Sequence, residues 1–423
     1  MAETASARAA SPPKRAAVRY IGLDIHKAYF VATGVNAQQQ IIFGPQRVTN
    51  AELENWVKKH LNKEDAVVLE MTTNTYLFYD LLEPLVHSVT VVHPPHVALI
   101  TRAQVKTDRK AAHGLAQLHA AGLLVSIWIP PQPVREMRAL IAQRYKMVRL
   151  CTLAKNRLAN VLHRHNFDKP PGSQPFHLKH KDWWLALPIK GIEKINLECD
   201  WEMVEFAERM KKRFEQEIAK AAASDPRAPL LVQLPGLSII GAVTVLAAIG
   251  DIKRFPDADH LTGYAGLGAR VHISGQMHQT GRITKAGRKD LRYIMVEAAN
   301  HASRGHPKWK ELFKKLEPRL GRSKALVAIA RKMLVVIWHL LTDEAADKFS
   351  DPHQVACAMY AFFYKVGARN MPPGLKALPY VRQQLDRLGL DCPSIRWGRK
   401  RYKIPPSPAS QSPPMTEVVA EPA

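Results

Sequence analysis

Apolar runs and helical periodicities alternate over residues 18–130. Short apolar runs predict strands, in chain order at 19–24, 29–33, 40–48, 65–70 and 89–92. Apolar positions at helical spacing predict helices, in chain order after Thr49–Asn50, over 75–86 and over 107–124. The predicted order is three strands followed by alternating helices and strands. This order predicts a mixed α/β sheet.

From Pro130 the pattern changes to long helical seams, and residues 131–228 are predicted to form a helical, coiled-coil spacer. The apolar positions of the first seam recur at intervals of three, four or seven, namely Met137, Ile141, Val148, Cys151, Leu158 and Leu162. Arg144 and Lys155 fall on or near this seam and predict breaks in it. A second amphipathic helix follows around 203–218. The pair is either an antiparallel spacer or a dimerisation element, and the pattern leaves both open.

Residues 229–347 are predicted to form a mainly α domain. Pro235-Gly236, followed by the apolar stretch 243–250, resembles a helix-hairpin-helix turn. The exposed backbone amides of such a turn can bind a phosphate backbone. The apolar helix at 323–341 is predicted to be core. The chain is completed by segments expected to be less regular, namely a disordered basic arm at 1–17, a C-terminal extension at 348–403 and a disordered Pro/Ser-rich tail at 404–423.

The charge balance points to a polyanionic partner. Lysine plus arginine number 61 against 37 acidic residues, which gives a net charge of +24. The sequence contains no run of some 18 apolar residues, so we expect no membrane span. The four cysteines are far apart and form no CxxC pair, which disfavours zinc and disulfides and fits a reducing cytoplasm.

Ser274 lies in a glycine-rich, basic stretch. Gly266, Gly268 and Gly275 leave the backbone uncovered, so a bulky ligand can approach the hydroxyl. A serine nucleophile with cations over the phosphate oxygens is what attack on a phosphodiester requires. The predicted nucleic-acid contacts are the cations of this stretch together with one from the first block, namely Arg270, Arg282, Lys285, Arg288, Arg292 and Lys106.

Three acids of the first block are candidate metal ligands. Asp24 and Glu70 close apolar strands, and Asp108 opens a helix. Acids at one edge of a sheet can converge on Mg²⁺, which takes oxygen ligands. Two such ions can stabilise the attacking and leaving oxygens of a phosphoryl displacement.

With these motifs in place, the chain resembles the insertion-sequence transposases that pair a RuvC-like DEDD nuclease domain, here 18–130, with a C-terminal serine transposase domain, here 229–347. This family comprises the bridge-RNA-guided recombinases. The resemblance spans roughly residues 18–345. The matching motifs are Gly22-Leu-Asp24-Ile-His-Lys27, Glu70 with Tyr76, His93-Pro94, Lys106-Thr-Asp108-Arg, Pro235-Gly236, Gly250-Asp251, Arg254-Phe255, Tyr264-Ala-Gly-Leu267, Ser274-Gly275, Gly281-Arg-Ile-Thr-Lys-Ala-Gly287, Leu291-Arg292 and the helix 324–332.

The resemblance implies a composite mechanism. Ser274 attacks a DNA phosphate to form a covalent phosphoserine link, and the acids bind Mg²⁺. An element-encoded non-coding RNA pairs with target and donor DNA, so that the RNA reads the sequence and the protein reads backbone and shape. Two dimers hold two duplexes for strand exchange, in a bacterial cytoplasm and on the nucleoid.

One position departs from the family pattern. The third acidic motif of the family is Lys-Thr-Asp-x-x-Asp-Ala, which places two aspartates three apart on one helix face. Here Ala111 stands where the fourth acid is expected. Either the chain carries an inactivating substitution, natural or engineered, or His113 or a residue elsewhere replaces the acid.

Three other functions share some of these sequence features. A related DNA invertase, which inverts a segment between sites, has the same sequence features. A RuvC-like structure-specific nuclease needs the acids but not Ser274, so the serine disfavours it. A catalytically inactive nucleic-acid-binding remnant is disfavoured because Ser274 and its basic surroundings are retained.

Overall fold

The computed structural model divides into two compact units, Met1–Pro130 and Pro131–Ala423. The structure describes the following parts of the chain: residues 19–101, 107–274 and 277–408. The predicted basic arm at 1–17 and Lys106 lie outside these parts. The separation of residues 131–228, 229–347 and 348–403 into distinct domains stays a prediction.

The first unit is built on a five-stranded sheet, which confirms the predicted mixed α/β class. Its strands are β1 (Arg19–Ile25), β2 (Tyr29–Val35), β3 (Ile41–Thr49), β4 (Asp65–Glu70) and β5 (Ser88–Val92). The strand order is β3-β2-β1-β4-β5. β1 pairs antiparallel with β2 and parallel with β4, and β4 pairs parallel with β5.

Four helices accompany the sheet, namely α1 (Leu53–His60), α2 (Thr75–Leu82), α3 (Pro94–Thr101) and α4 (Asp108–Ala120). Two of them end earlier than predicted. α2 ends at Leu82 although Glu83 keeps helical backbone angles, because the next residue, Pro84, has no backbone N–H with which to continue the helical hydrogen bonds. α4 stops before Gly122, whose φ of +67° is the left-handed conformation that ends many helices. The apolar pattern did not predict α3.

The central strands are buried on both faces, which explains why they read as continuous apolar runs. Alternate residues of β1 and β4, such as Leu23 and Leu69, enter the larger core on one face. Val68 of β4 joins Leu115 of α4 in a smaller core on the other face. In β1 and β4, the side chains that lie between those of the larger core therefore point to the opposite face of the sheet, towards α4.

The second unit begins with two long antiparallel helices, α5 (Gln132–His165) and α7 (Ile192–Ser224), joined through the short α6 (Lys181–Leu185). The predicted breaks in the first seam are wrong, because α5 is continuous. Arg144 pairs with Glu215 of α7 at 2.8 Å, and Lys155 pairs with Glu208 at 2.9 Å. Charged residues near the seam are therefore accommodated by acids on the facing helix.

The rest of the second unit is mainly helical, as predicted. The helices are α8 (Arg227–Val232), α9 (Ile239–Ile249), α10 (Ala258–Tyr264), α11 (Lys289–Gly305), α12 (Pro307–Leu320), α13 (Arg322–Asp343), α14 (Pro352–Val366) and α15 (Ala377–Arg387). Two hairpins complete it, β6 (Ala269–Ser274) with β7 (Met277–Ile283), and β8 (Ser394–Trp397) with β9 (Lys400–Lys403).

One helix of the described chain, α13, is long and apolar enough to cross a membrane by length and composition. Half of its most apolar window is buried, and Ile329, Met333 and Ile337 are fully enclosed in the main core. It is the core helix that the apolar pattern at 323–341 predicts.

The C-terminal region is more ordered than its sequence pattern suggested. The predicted extension at 348–403 contains α14, α15 and the β8–β9 hairpin. Its core includes Phe362 and Tyr380, whose rings stack at 6.0 Å. The predicted tail begins inside the fold, because Ile404 is buried and its amide donates to the Pro393 carbonyl. Residues 409–423 of the tail lie outside the described part of the chain.

Candidate functional site

Asp24 and Glu70 occupy neighbouring strand ends on the face of the sheet that α4 covers. The parallel register aligns Leu23 of β1 with Leu69 of β4, so the next residue of each strand, an acid, follows at the same level. Both acids alternate with leucines that point into the larger core, which directs their side chains to the opposite face. The strand pairing therefore places two of the three predicted acids side by side.

Gly22 brings the third acid to the same place. A Cβ atom built on Gly22 would lie 2.0 Å from the Ala112 carbonyl oxygen of α4, so only glycine permits this close approach of helix and strand. Asp108 is the first residue of α4, and the Thr107 hydroxyl caps the helix by accepting from the Lys110 amide at 3.3 Å. Packing at Gly22 and the cap together fix the helix end that carries Asp108.

The structure brings Asp24 and Asp108 together with a residue that was not predicted. One ligand atom each of Asp24, His26 and Asp108 lie within 4.8 Å of one another. His26 Nε2 is 3.4 Å from an Asp24 oxygen and 3.5 Å from an Asp108 oxygen. Glu70 is not a member of this compact group, although it lies on the adjacent strand. We refer to Asp24, Glu70 and Asp108 as the carboxylate site.

Tyr29 and Arg47 set the electrostatics around Asp108. The Tyr29 hydroxyl donates to Asp108 Oδ2 at 2.8 Å, and the Arg47 guanidinium lies 3.8 Å from the centre of the tyrosine ring. The hydrogen bond from Tyr29 holds the pKa of Asp108 below its usual value and raises the pKa of the tyrosine. Asp108 is therefore an ionised acceptor at neutral pH, as a metal ligand must be.

Ala111 and His113 occupy different faces of α4. Ala111 follows Asp108 by three residues and so lies on the same face, whereas His113 follows by five and lies about 140° around the helix. An acid at 111 would extend the carboxylate site. His113 does not face it, so the sequence hypothesis that His113 replaces the missing acid is wrong.

The donor set fits a divalent cation. Two carboxylates and an imidazole converge, and His26 Nε2 is buried without a hydrogen-bond partner among the described residues. Carboxylate oxygens are the ligands that Mg²⁺ and Mn²⁺ accept, and a neutral imidazole nitrogen is the commonest protein ligand of transition metals. Asp24, His26 and Asp108 are the residues that would hold such an ion, with Glu70 beside them.

Ser274 ends the first strand of a hairpin rather than standing in an open loop. β6 and β7 pair antiparallel, with Ser274 opposite Met277. Gly275 and the side chains of residues 271–280 lie outside the described part of the chain. The alternation of β6 was hidden by the glycines and arginines around it, and the sequence pattern did not predict these strands.

Two glycines near this hairpin allow close backbone packing. A Cβ atom on Gly266 would lie 2.5 Å from the Ala286 carbonyl oxygen, and one on Gly287 would lie 2.2 Å from the Tyr264 carbonyl oxygen. Both have positive φ, +68° and +116°. The interpretation that Gly266 leaves room for a ligand is therefore wrong, because the space is filled by the returning chain.

The predicted cations of this region divide into two groups. Arg288 pairs with Asp290 at 3.0 Å, and Arg292 donates to the Ala265 carbonyl at 3.0 Å, so both side chains are engaged in contacts within the fold. The remaining cations have exposed side chains, namely Arg270, Arg282 and Lys285. Among the predicted contacts in this region, these three are available to a polyanion.

Sequence reasoning missed Arg138, which joins α5 to the end of α9. Its guanidinium donates to the carbonyls of Ala247 and Ala248 at 2.7 and 2.8 Å. Arg254 donates to the Ile249 carbonyl at 2.8 Å and stacks on Tyr264. These arginines satisfy carbonyls that a helix C-terminus leaves unpaired. No local pattern at Arg138 signals this role, since its partners are more than a hundred residues away.

Two family models match this chain. Residues 21–167 match the transposase model DEDD_Tnp_IS110, and residues 228–314, which include Ser274, match the Transposase IS116/IS110/IS902 family. The first match contains the sheet and its acids. The mixed α/β domain, its acids and these matches define a DNA transposase of the DEDD class.

Similar proteins align over most of the chain. The transposase for insertion sequence element IS1111A of Coxiella burnetii is 24% identical over 77% of this chain and 90% of its own length. The pilin gene-inverting protein of Moraxella bovis is 26% identical over 76% of this chain and 95% of its own length. With the matched models, these alignments identify the chain as an IS110/IS116/IS902-family transposase with a DEDD domain.

Proposed function

We propose that this protein is the RNA-guided DNA recombinase of an insertion sequence. The observation that carries the proposal is the presence, in one chain, of the carboxylate site and of a second transposase segment that contains Ser274. A nuclease that hydrolyses DNA with metal and water has no use for the second segment. Strand exchange needs both cutting and rejoining, and a covalent intermediate conserves the phosphodiester energy between them.

In the proposed reaction, the Ser274 hydroxyl attacks a DNA phosphorus atom. A bond forms between Oγ and phosphorus while the bond to one deoxyribose oxygen breaks, and the proton lost from Oγ is balanced by the proton taken up by the leaving oxygen. The exposed Arg270, Arg282 and Lys285 stabilise charge on the phosphate oxygens. Attack by the freed hydroxyl of a second strand reverses the step and releases the serine.

Asp24, Glu70 and Asp108 hold Mg²⁺ or another divalent cation in this proposal. Such an ion supplies stabilisation of charge at the attacking and leaving oxygens of a phosphoryl displacement. The chain itself keeps Asp108 ionised through Tyr29 and fixes α4 against the sheet at Gly22. Ala111 removes one oxygen ligand from the helix face that carries Asp108, and this weakens binding of Mg²⁺.

The guide RNA and the assembly are further parts of the proposal. The net charge of +24 suits a protein that holds RNA and two DNA duplexes together. The resemblance to bridge-RNA-guided recombinases supports pairing of an element-encoded RNA with target and donor DNA. It also supports a dimer of dimers that acts in the cytoplasm at the nucleoid.

A related site-specific invertase is the second candidate. The similarity to the pilin gene-inverting proteins of Moraxella bovis and Moraxella lacunata favours it. Both candidates use the same chemistry and differ in whether the recombining sites lie on one molecule or on two. The retained Ser274 and its exposed cations disfavour a catalytically inactive remnant.

A two-substrate recombination assay tests the proposal. Purified protein is incubated with the element-encoded RNA, a donor plasmid with the joined element ends, and a target plasmid, and the new junctions are sequenced. The recombinase proposal predicts junctions between the two plasmids, which disappear with a scrambled RNA of equal length at the same salt. Altered pairing loops in the RNA should redirect the target.

The invertase predicts instead junctions only between sites on one plasmid. Junctions that form equally without RNA would contradict the guide. Because Ala111 weakens the carboxylate site, Ala111→Asp is run in parallel and should raise the yield of junctions. No junctions with either protein would contradict the recombinase function.

A further inference from the structure

His26 Nε2 lies between two carboxylates and has no hydrogen-bond partner among the described residues. The Asp24 and Asp108 oxygens are 3.4 and 3.5 Å away, and the atom itself is buried although the ring is partly exposed. A buried polar atom without a partner costs free energy, so its position requires an explanation. A cation seated among these three side chains would give the imidazole nitrogen a partner.

The backbone of His26 is fixed from several sides. Its amide donates to the Tyr29 carbonyl at 2.8 Å. Its carbonyl accepts from the side-chain amides of Asn50 at 3.0 Å and Asn74 at 3.1 Å. Asn74 follows β4, so the loop after Glu70 contributes to holding His26. The turn after β1 is therefore held before any ligand binds, as ligand geometry requires.

The imidazole ring is fixed as well. It stacks on Tyr29 with ring centres 4.7 Å apart and an angle of 28° between the planes. The same tyrosine donates to Asp108 at 2.8 Å, so one side chain orients both the ring and the neighbouring carboxylate. Partners that orient ligands in this way commonly control metal affinity.

We propose that His26 is a metal ligand that replaces the oxygen lost at Ala111, so that this chain prefers a transition-metal ion over Mg²⁺. The inference rests on the proposed function, in which the carboxylate site binds a divalent cation. Mg²⁺ demands oxygen ligands in near-octahedral geometry, whereas Mn²⁺ and the metals above it in affinity accept imidazole nitrogen readily. A mixed nitrogen and oxygen site therefore shifts selectivity away from Mg²⁺.

Pulsed electron paramagnetic resonance of the full chain with Mn²⁺ alone tests this inference. Bound Mn²⁺ should show coupling to a histidine nitrogen, and this coupling should vanish in His26→Ala. Mn²⁺ affinity should fall by about 10–100-fold in that variant, the range seen when metal-site partners are lost. Excess Mg²⁺ should displace Mn²⁺ from the wild-type chain only at concentrations at least about tenfold higher.

Matched variants separate the possible outcomes. His113→Ala removes a histidine from the other face of α4 and should leave the coupling unchanged. His26→Asn provides a second test if thermal unfolding shows that His26→Ala is destabilised. Ala111→Asp with His26→Ala creates an oxygen-only site and should bind Mg²⁺ and Mn²⁺ with more similar affinity.

Two failures are distinguishable. Mn²⁺ that binds at the carboxylate site without nitrogen coupling, or with coupling that persists in both His26 variants, overturns the role of His26 and leaves the proposed function intact. Absence of Mn²⁺ binding in every variant, Ala111→Asp included, overturns the carboxylate site itself and with it that part of the proposed function.

A second inference concerns the β8–β9 hairpin, which lies beyond both matched segments. Residues 394–403 contain no acid, and five cations are exposed there, namely Arg396, Arg399, Lys400, Arg401 and Lys403. Among the described residues, none of these side chains forms an ion pair. The indole of Trp397 beside them is 45% exposed. Cations together with an exposed aromatic ring are the combination that binds single-stranded nucleic acid.

The hairpin is anchored to the fold through its other residues. Ile395 is fully buried, and the amide of Arg396 donates to the His353 imidazole of α14 at 3.2 Å. Tyr360 contacts both Trp397 and Tyr402, with ring centres 5.4 and 5.6 Å apart. The cations and the indole edge are therefore presented on a supported surface.

We infer that this hairpin binds unpaired nucleotides, with Trp397 stacking on a base and the cations on the phosphates. Binding of the full chain to fluorescent single-stranded RNA and DNA of equal sequence tests it. Trp397→Ala should weaken binding about tenfold, the scale of one stacked base. Replacing Arg399, Lys400 and Arg401 by serine should lower the slope of log affinity against log salt by about 2.

The control removes the same charge elsewhere, by replacing Lys310, Lys314 and Lys315 on the exposed face of α12 by serine. The hairpin variants should lose more affinity than this control, and a larger loss for RNA than for DNA assigns the hairpin to RNA. An equal loss in both charge variants, with no effect of Trp397→Ala, would show general electrostatic attraction only and overturn the inference.

Discussion

Gly22 is the point at which the sheet and the helix that carries Asp108 meet, so Gly22→Ala should damage both stability and the carboxylate site. The added Cβ would lie 2.0 Å from the Ala112 carbonyl oxygen and 2.7 Å from the Ala116 amide nitrogen. Ordinary contacts begin near 3.4 Å, so strand and helix would have to separate by roughly 1.4 Å. Both partners are backbone atoms, and no side-chain rotation relieves the overlap.

The expected cost is about 3 kcal/mol, the upper end of the range for overpacking. A movement of this size at α4 also displaces Asp108, whereas metal ligands tolerate only about 0.2 Å. Hydrogen exchange of the full chain measures the effect locally. The amides of β1 and α4 should open roughly a hundredfold more often, and amides of the second unit should be unchanged.

Gly114→Ala is the matched control on the same helix. A Cβ atom there meets nothing within 4 Å, and alanine favours helix over glycine by about 0.5–1 kcal/mol. Exchange in α4 should therefore slow slightly. If Gly22→Ala behaves like this control, and Mn²⁺ binds equally well to both variants, the close packing of α4 on β1 is not what positions Asp108.

Three further predictions concern the fold. Thr107→Ala removes the cap of α4 and should cost about 1 kcal/mol, measured by exchange of its first turn, while Thr107→Ser should cost less. Burial raises the pKa of Glu208, but hydrogen bonds from Lys211 and Lys155 outweigh burial and lower that pKa to about 2. The contribution of this carboxylate to stability is thus present above about pH 4.5 and is lost as the pH falls towards 2. Glu208→Gln should therefore make the free energy of unfolding less dependent on pH between these values. If the slope of that free energy against pH is the same in the variant and the wild type, the prediction is wrong. Arg138→Met removes the guanidinium from the Ala247 and Ala248 carbonyls of α9. The Ala248 carbonyl keeps the Tyr264 hydroxyl at 3.3 Å, so the expected cost of about 1–3 kcal/mol comes mainly from the Ala247 carbonyl; it should appear as faster exchange at the end of α9 and nowhere in the first unit.

The sequence pattern predicted the sheet of the first unit well because its strands are buried on both faces. A continuous apolar run such as 65–70 is clearly a strand when Gly or Asn residues and charged residues lie at its two ends. It failed at β6 and β7, where glycines and arginines replace the apolar alternation. It also failed at Arg144, because a charge near a helical seam looks like a break until its partner Glu215, 71 residues away, is known.

The candidate site was predictable in its acids and not in its histidine. Asp24, Glu70 and Asp108 share a simple signal, a carboxylate at the end of an apolar strand or the start of a helix. His26 carries no such signal, because it is one residue beyond the end of a strand. Its place in the site depends on contacts with Tyr29, Asn74 and Asp108, which are distant in sequence or not recognisable from it. Its role depends on contacts that only the fold creates.

The proposed function depends on the attack of Ser274 on DNA, and the direct product of that attack is a covalent protein–DNA adduct. The protein with Ala111→Asp is incubated with its RNA and end-labelled DNA and then denatured, and the linked peptide is identified by mass spectrometry. A DNA adduct is expected on Ser274, and it should disappear in Ser274→Ala and persist in the control Thr284→Val near the same hairpin. DNA cleavage without an adduct, or an adduct that survives Ser274→Ala, would contradict it.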